Sequence, residues 1–150
     1  MITQKIINEF LSHQPIAVVG VSRNTKKFGY SCYRDLKMKG FNVIAVNHYL
    51  DNIDGDICFP NLHSIPIEIR AVLIVVKPEQ TIEVVKDAFI KGVKYIWMQQ
   101  GAESESAIEF CNSNDIKLVY GKCILMFAQP VVSFHKFHRW FVKLFGKLPV

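Results

Sequence analysis

Five short apolar runs punctuate the chain, and between them the apolar residues fall at helical spacing. The runs occupy residues 16–20 (IAVVG), 41–46 (FNVIAV), 71–76 (AVLIVV), 95–98 (YIWM) and 117–120 (KLVY). A strand that is apolar on successive residues has no face to give to water, so it belongs in a sheet covered on both sides. The intervening segments read as helices over 3–12, 29–39, 81–91 and 104–113. Ile6, Ile7, Phe10 and Leu11 form one apolar stripe, Tyr30, Tyr33 and Leu36 a second, and Ile82, Val85 and Phe89 a third. Gly40 and Gly92 are C-terminal stops, and Glu103 and Glu105 suit the start of the last helix. Strand–helix alternation of this kind predicts βαβ units with right-handed crossovers. The expected fold is α/β: a Rossmann-like, doubly wound sheet of five parallel strands with helices on both faces. The stretches 21–28 and 47–70, the latter containing Asp54-Gly55 and Pro60, read as loops.

Composition fits one domain of this kind. The chain has 150 residues, 50% hydrophobic and 21% charged, which excludes an intrinsically disordered polymer. No apolar run approaches the ~20 residues of a membrane span. The N-terminal MITQKIINEF lacks the regions of a secretory signal, so a cytoplasmic location is expected. Cys32, Cys58, Cys111 and Cys123 form no CxxC pair and read as free thiols. The net charge of +5 first invites a nucleic-acid reading. Residues 131–150, however, carry Lys136, Arg139, Lys143 and Lys147 and no acid, which leaves residues 1–130 at +1. The expected organisation is a domain over 1–130, followed over 131–150 by a basic amphipathic helix with Phe134, Phe137, Phe141 and Leu144 on one stripe. That helix is expected to pack on the domain or on a second copy, with nucleic-acid and membrane binding disfavoured. His135 and His138 are one helical turn apart, but no third ligand accompanies them, so no metal site is expected.

In open α/β sheets, ligands bind beyond the carboxyl ends of the strands. The residues there are Gly20, Ser22 and Arg23 after the first run, Asn47 after the second, and Lys77 and Pro78 after the third. Gln99, Gln100 and Gly101 follow the fourth, and Gly121, Lys122 and Cys123 the fifth. The first turn, GVSRNTKKFG, says most. Gly20 lets a phosphate approach the backbone, the next helix offers its N-terminus, and Arg23, Lys26 and Lys27 add positive charge. A solvated basic loop is the plainer reading. The turn lacks GxGxxG, the second strand ends on Asn47 where a NAD site has an acid, and no Walker pattern is present.

The segment VVGVSRNTKKFGYSCYRDLKMKGFNVIAVN resembles the opening of small stand-alone CoA-binding proteins, whose domain is similar to that of the succinyl-CoA synthetase alpha subunit. VVKPEQT, WMQQGAESESAIEF and YGKCILM follow in the family's order, so the likeness covers roughly residues 14–127. It implies that Gly20, Ser22, Arg23 and Lys26 face the CoA phosphates and that Phe28 and Gly29 close the pocket. It further implies Asn47 beside the ribose or adenine, and Val76, Lys77 and Pro78 on the adenosine. Gln99, Gln100 and Gly101 would line the wall towards the pantetheine arm, with Cys123 near the thiol end. His48 and Lys77 stand where such proteins often have proline. The synthetases use a phosphorylated histidine on a further domain, and no segment here matches that motif. CoA or acyl-CoA binding without ligase chemistry is therefore the implied function. A nucleotide-cofactor-dependent oxidoreductase or transferase is the alternative. Cys123 is open to two readings, a thiol activated by Lys122 or a small packing residue.

Overall fold

The computed structural model describes residues 2–130. The expected helix and assembly role of residues 131–150 lie outside the described residues. Four α-helices alternate with the strands: α1 (Gln4–Ser12), α2 (Phe28–Met38), α3 (Pro78–Lys91) and α4 (Glu105–Ser113). The strands are β1 (Ile16–Val19), β2 (Val43–Val46), β3 (Asn52–Ile53), β4 (Asp56–Phe59), β5 (Ala71–Ile74), β6 (Tyr95–Gln99) and β7 (Lys117–Lys122). They form one sheet in the order β3-β4-β2-β1-β5-β6-β7. Every pairing is parallel except β3 with β4.

The expectation of five strands is therefore corrected to seven. The five apolar runs are all strands, and the two additions come from the segment read as a loop. Asp54 (φ 49°) and Gly55 (φ 85°) both take positive φ. That geometry turns Asn52–Ile53 back onto Asp56–Phe59 as a two-residue hairpin, a turn for which Asp-Gly is well suited. β4 then pairs with β2, Ala45 opposite Cys58 and Val46 opposite Phe59, and extends the sheet by two strands. α3 also starts earlier than its apolar stripe implies, because Pro78 occupies its first turn.

Successive residues of each strand enter different cores, as the period of two requires. Val18, Leu73 and Trp97 meet Phe10 of α1 and Tyr33 and Leu36 of α2 on one face. Ala17, Val72, Ile74 and Ile96 meet Val85 and Ala88 of α3 and Ala107 and Cys111 of α4 on the other. Phe10 meets Trp97 edge-on at a centroid separation of 5.4 Å. Among the described residues, no helix is long and apolar enough to cross a membrane. β1 lies at the centre, and the chain leaves it for α2 and β2 on one side, whereas β5 leads to α3 and β6 on the other. That divergence is the topological switch at which open sheets of this type admit ligands.

Candidate functional site

The carboxyl end of β1 is packed to the limit of its backbone. Gly20 takes φ +110° and still joins the ladder, its N–H donating to the Val46 carbonyl at 3.0 Å. A Cβ at Gly20 would sit 2.9 Å from the carbonyl carbon and oxygen of Val75. A Cβ at Gly29, in the first turn of α2, would overlap the Gly20 carbonyl oxygen. Two glycines thus let α2 butt its N-terminus against the end of the central strand. Lys27, at the N-cap, provides no side-chain hydrogen bond to that end. Backbone N–H groups at such a helix start attract an anion, and the helix dipole adds to the attraction.

The loop between these glycines holds its shape by local bonds. Ser22 Oγ accepts from Asn24 N–H at 3.0 Å, and Asn24 Oδ1 accepts from Lys26 N–H at 3.0 Å. Lys26 and Lys27 remain exposed. Arg23 reaches away from the helix start and donates from Nε and Nη2 to the Asn52 carbonyl, at 3.0 and 2.8 Å.

A cleft of about 470 Å³ opens on the α3 side of the switch. Its floor is the strand ends, with Gly20, Asn47 and Val76 among the sequence-predicted residues. Asn47 is fixed there: Nδ2 donates to the Val21 carbonyl at 2.6 Å, and Oδ1 accepts from Tyr49 N–H at 2.7 Å. His48 and Tyr49 line one side, meeting edge-to-face with centroids 5.0 Å apart, and Glu79, Glu83 and Asp87 of α3 line the other. These acids form no motif in the sequence, although their four-residue spacing puts them on one helix face, away from the buried stripe of the same helix. Tyr49, 89% exposed, left no sequence signal.

The remaining predicted residues take other positions. Lys77 and Pro78 cap α3 and form its first turn. Phe28 is partly exposed at the start of α2. Gln99 is buried, and its Oε1 accepts from Ile124 N–H at 3.0 Å. Gln100 N–H donates to the Lys122 carbonyl at 3.3 Å, and Gly101 N–H to Glu103 Oε2 at 3.0 Å. Cys123 is half-buried just beyond β7. These last four residues lie at the β6 and β7 ends, which the Gln99–Ile124 bond joins. None of them lines the 470 Å³ cleft. The four cysteines are free thiols. Burial pushes the Cys32 thiol well above its ordinary range and pushes Cys111 up to about 12, so both are held protonated.

A family model described as a CoA binding domain matches residues 14–129. The chain belongs to this CoA-binding domain family. Within it, the chain is similar to subunit alpha of ADP-forming acetate–CoA ligase II from Pyrococcus furiosus, 25% identical over 130 residues, 79% of this chain and 28% of that one. It is also similar to ADP-forming acetate–CoA ligase II from Archaeoglobus fulgidus, 33% identical over 81 residues, 53% of this chain and 12% of that one. The chain thus spans less than a third of the length of these two relatives. A solved conserved hypothetical protein from Pyrococcus furiosus matches with a TM-score of 0.73 at 35% identity, covering 75% of this chain and 97% of that one. The CoA-binding domain of this chain is therefore a mostly parallel Rossmann-like unit, as its strand order already required.

Proposed function

We propose that this domain binds CoA or an acyl-CoA across the carboxyl ends of its central strands and carries out no ligation of its own. The observation that carries the reading is the contact of Gly29 with the Gly20 carbonyl. It brings the uncapped start of α2 against the end of β1, and backbone N–H groups at such a helix start suit a pyrophosphate. The cleft floored by Gly20, Asn47 and Val76 takes the adenosine half. Ser22 and Lys26 lie along the path of the phosphates. Lys77 and Pro78 flank the adenosine, and Phe28 covers the helix start. Gln99, Gln100, Gly101 and Cys123, at the neighbouring strand ends, mark the direction of the pantetheine arm.

A dinucleotide-dependent oxidoreductase fits less well. The side chain at the end of β2 is an amide whose nitrogen donates to the Val21 carbonyl, where a NAD site offers a carboxylate to ribose hydroxyls. Calorimetric titration with CoA tests the proposal, with native mass spectrometry of the purified protein beside it. The expected result is one CoA per chain and a CoA-sized adduct. The absence of both heat and adduct would remove the reading.

A further inference from the structure

β7 is the last strand of the sheet, and among the described residues nothing pairs with its outer side. It is six residues long, about 20 Å at the usual rise. Lys117 N–H donates inward, to the Lys94 carbonyl at 3.0 Å. Strand backbone alternates its direction, so Leu118, one residue on, turns its N–H and C=O away from the sheet. An open edge of this length recruits other strands unless something covers it. A groove of about 430 Å³ runs beside this edge. Ile2 and Ile6 of α1 wall it on one face of the sheet, Asp115 and Ile116 beyond the end of α4 on the other, and Leu118 and Tyr120 lie between. Lys117, also on the lining, is already paired with Glu9 at 3.1 Å.

Charge says what kind of segment fits. Residues 103–116 carry Glu103, Glu105, Glu109 and Asp115 and no lysine or arginine. Glu105, Glu109 and Asp115 are exposed and absent from the ion pairs found among the described residues. A second copy added strand to strand, β7 antiparallel to β7, keeps each face of the sheet continuous and so sets α4 against α4, acid facing acid. Like charges so placed disfavour that partner. Residues 131–150 carry the opposite pattern, Lys136, Arg139, Lys143 and Lys147 with no acid. Arg139, Lys143 and Lys147 recur at every fourth residue, the spacing of Glu105 and Glu109 on α4. The stripe of Phe134, Phe137, Phe141 and Leu144 is the apolar counterpart of Ile2, Ile6 and Leu118.

The described chain ends close by. Phe127 packs on Trp97 of β6, the neighbour of β7, with centroids 5.8 Å apart, and the Ala128 carbonyl accepts from Lys39 Nζ at 3.1 Å. α1 packs over β6 and β7 on the same face, through Phe10 on Trp97 and Glu9 on Lys117. Twenty residues follow Pro130. Extended, they reach on the order of 60 Å, which is ample to round a helix roughly 10 Å across and still run the length of β7. We infer that residues 131–150 of the same chain lie in this groove, their apolar stripe on Ile2, Ile6 and Leu118 and their cations on Glu105, Glu109 and Asp115, and so cover the open edge of β7. The basic segment thereby has one address, its own domain, in place of a second copy. This contact is independent of the CoA reading.

Zero-length carbodiimide coupling tests it, because the reagent joins a lysine to a carboxylate only where the two touch. The full chain is coupled as an equal mixture of unlabelled and heavy-nitrogen-labelled protein, then digested for mass spectrometry. The Lys117–Glu9 pair is the internal control. Links are expected from Lys136, Lys143 or Lys147 to Glu105, Glu109 or Asp115, each within one isotope, and several-fold fewer of them in high salt. Glu109→Lys with Asp115→Lys should also move Trp140 towards the emission and acrylamide quenching of an exposed indole, while Trp97 stays in the core. Adding Lys143→Glu and Lys147→Glu to that variant should reverse both changes. Links of mixed isotope would give the groove to a second copy's segment and overturn the assignment. So would tail links to Glu79, Glu83 or Asp87 in their place, or no tail links while Lys117 couples to Glu9. An unchanged Trp140 in the charge-reversed chain overturns it as well.

Discussion

Gly29→Ala separates steric fit from helix propensity, because the two push in opposite directions. Gly29 lies in the first turn of α2, outside the positive-φ region. In an unobstructed helix, alanine in place of glycine gains about 1 kcal/mol. Here the added methyl would overlap the Gly20 carbonyl oxygen and lie 3.2 Å from its carbon and 3.4 Å from Val21 Cα. All three neighbours are backbone, so none can swing aside as the tip of a side chain would. Relief requires α2 to back away from β1, and overpacking of this kind costs about 1–3 kcal/mol. After the propensity gain is subtracted, the expected net loss is up to about 2 kcal/mol, or a fall of several degrees in melting temperature. Urea denaturation measures it. A CoA titration should show weaker binding, because the helix start has moved from the phosphate position. Gly92→Ala is the control: its φ is +93° with nothing within 4 Å of a new Cβ. It should cost about 1–2 kcal/mol of backbone strain and leave CoA affinity unchanged. A Gly29→Ala protein more stable than the parent, with unaltered affinity, would refute the packing argument.

Three further outcomes follow from single contacts. Asn47→Asp replaces the amide donor to the Val21 carbonyl with an oxygen, and should lose about 1–3 kcal/mol in denaturation without gaining NAD binding; a stable variant that binds NAD would revive the dinucleotide reading. Thr81→Val removes a buried hydroxyl that donates to the Ala102 carbonyl at 2.6 Å, and should cost about 1–2 kcal/mol by the same assay; unchanged stability would show the bond to be idle. Lys37 and then Tyr33 hold the Asp56 carboxyl below its ordinary value, so its contribution is present above about pH 4 and fades as pH falls through the folded value. The stability gap between parent and Asp56→Asn should therefore shrink on acidification, and a gap independent of pH would mean that Asp56 acts without its charge.

How much of this was legible in the sequence depends on how local the signal is. The central strands β1, β5 and β6 are written as continuous apolar runs because both of their faces are covered, and β5 is buried at every position; β7, at the far edge, was readable from Leu118 and Val119, which are buried. β3 and β4 carry no such signature. Ile57 is 69% exposed and Asn52 faces solvent, since an edge hairpin has only half a core to join. The Asp54-Gly55 dipeptide was the readable clue, and its flanking strands are too short to show alternation. The site was legible in the same uneven way. Gly20 at the end of β1 and Gly29 in the first turn of α2 stood out by residue type, and both are packed against backbone that leaves no room for a side chain. Gln99 sits at a strand end too, yet its side chain caps Ile124 N–H across to the β7 exit, a long-range bond that spacing cannot reveal. Arg23 was assigned to phosphates from its charge and loop position. Its dependence on Asn52 required the hairpin to be known first.

The hairpin also changes what the charges mean. Residues 1–130 carry a net +1, which taken as a sum predicts no preference for an anion. The fold puts the two signs on different elements. Arg23, Lys26 and Lys27 stand on the loop that leads into α2, while Glu79, Glu83 and Asp87 line the cleft from α3, opposite His48 and Tyr49. Fixed charges beside a largely apolar cleft act more strongly than they would in open water. The proposed CoA site therefore has its phosphates at the first loop and the helix start, away from the α3 carboxylates. The near-neutral total is the sum of a basic loop and an acidic helix face.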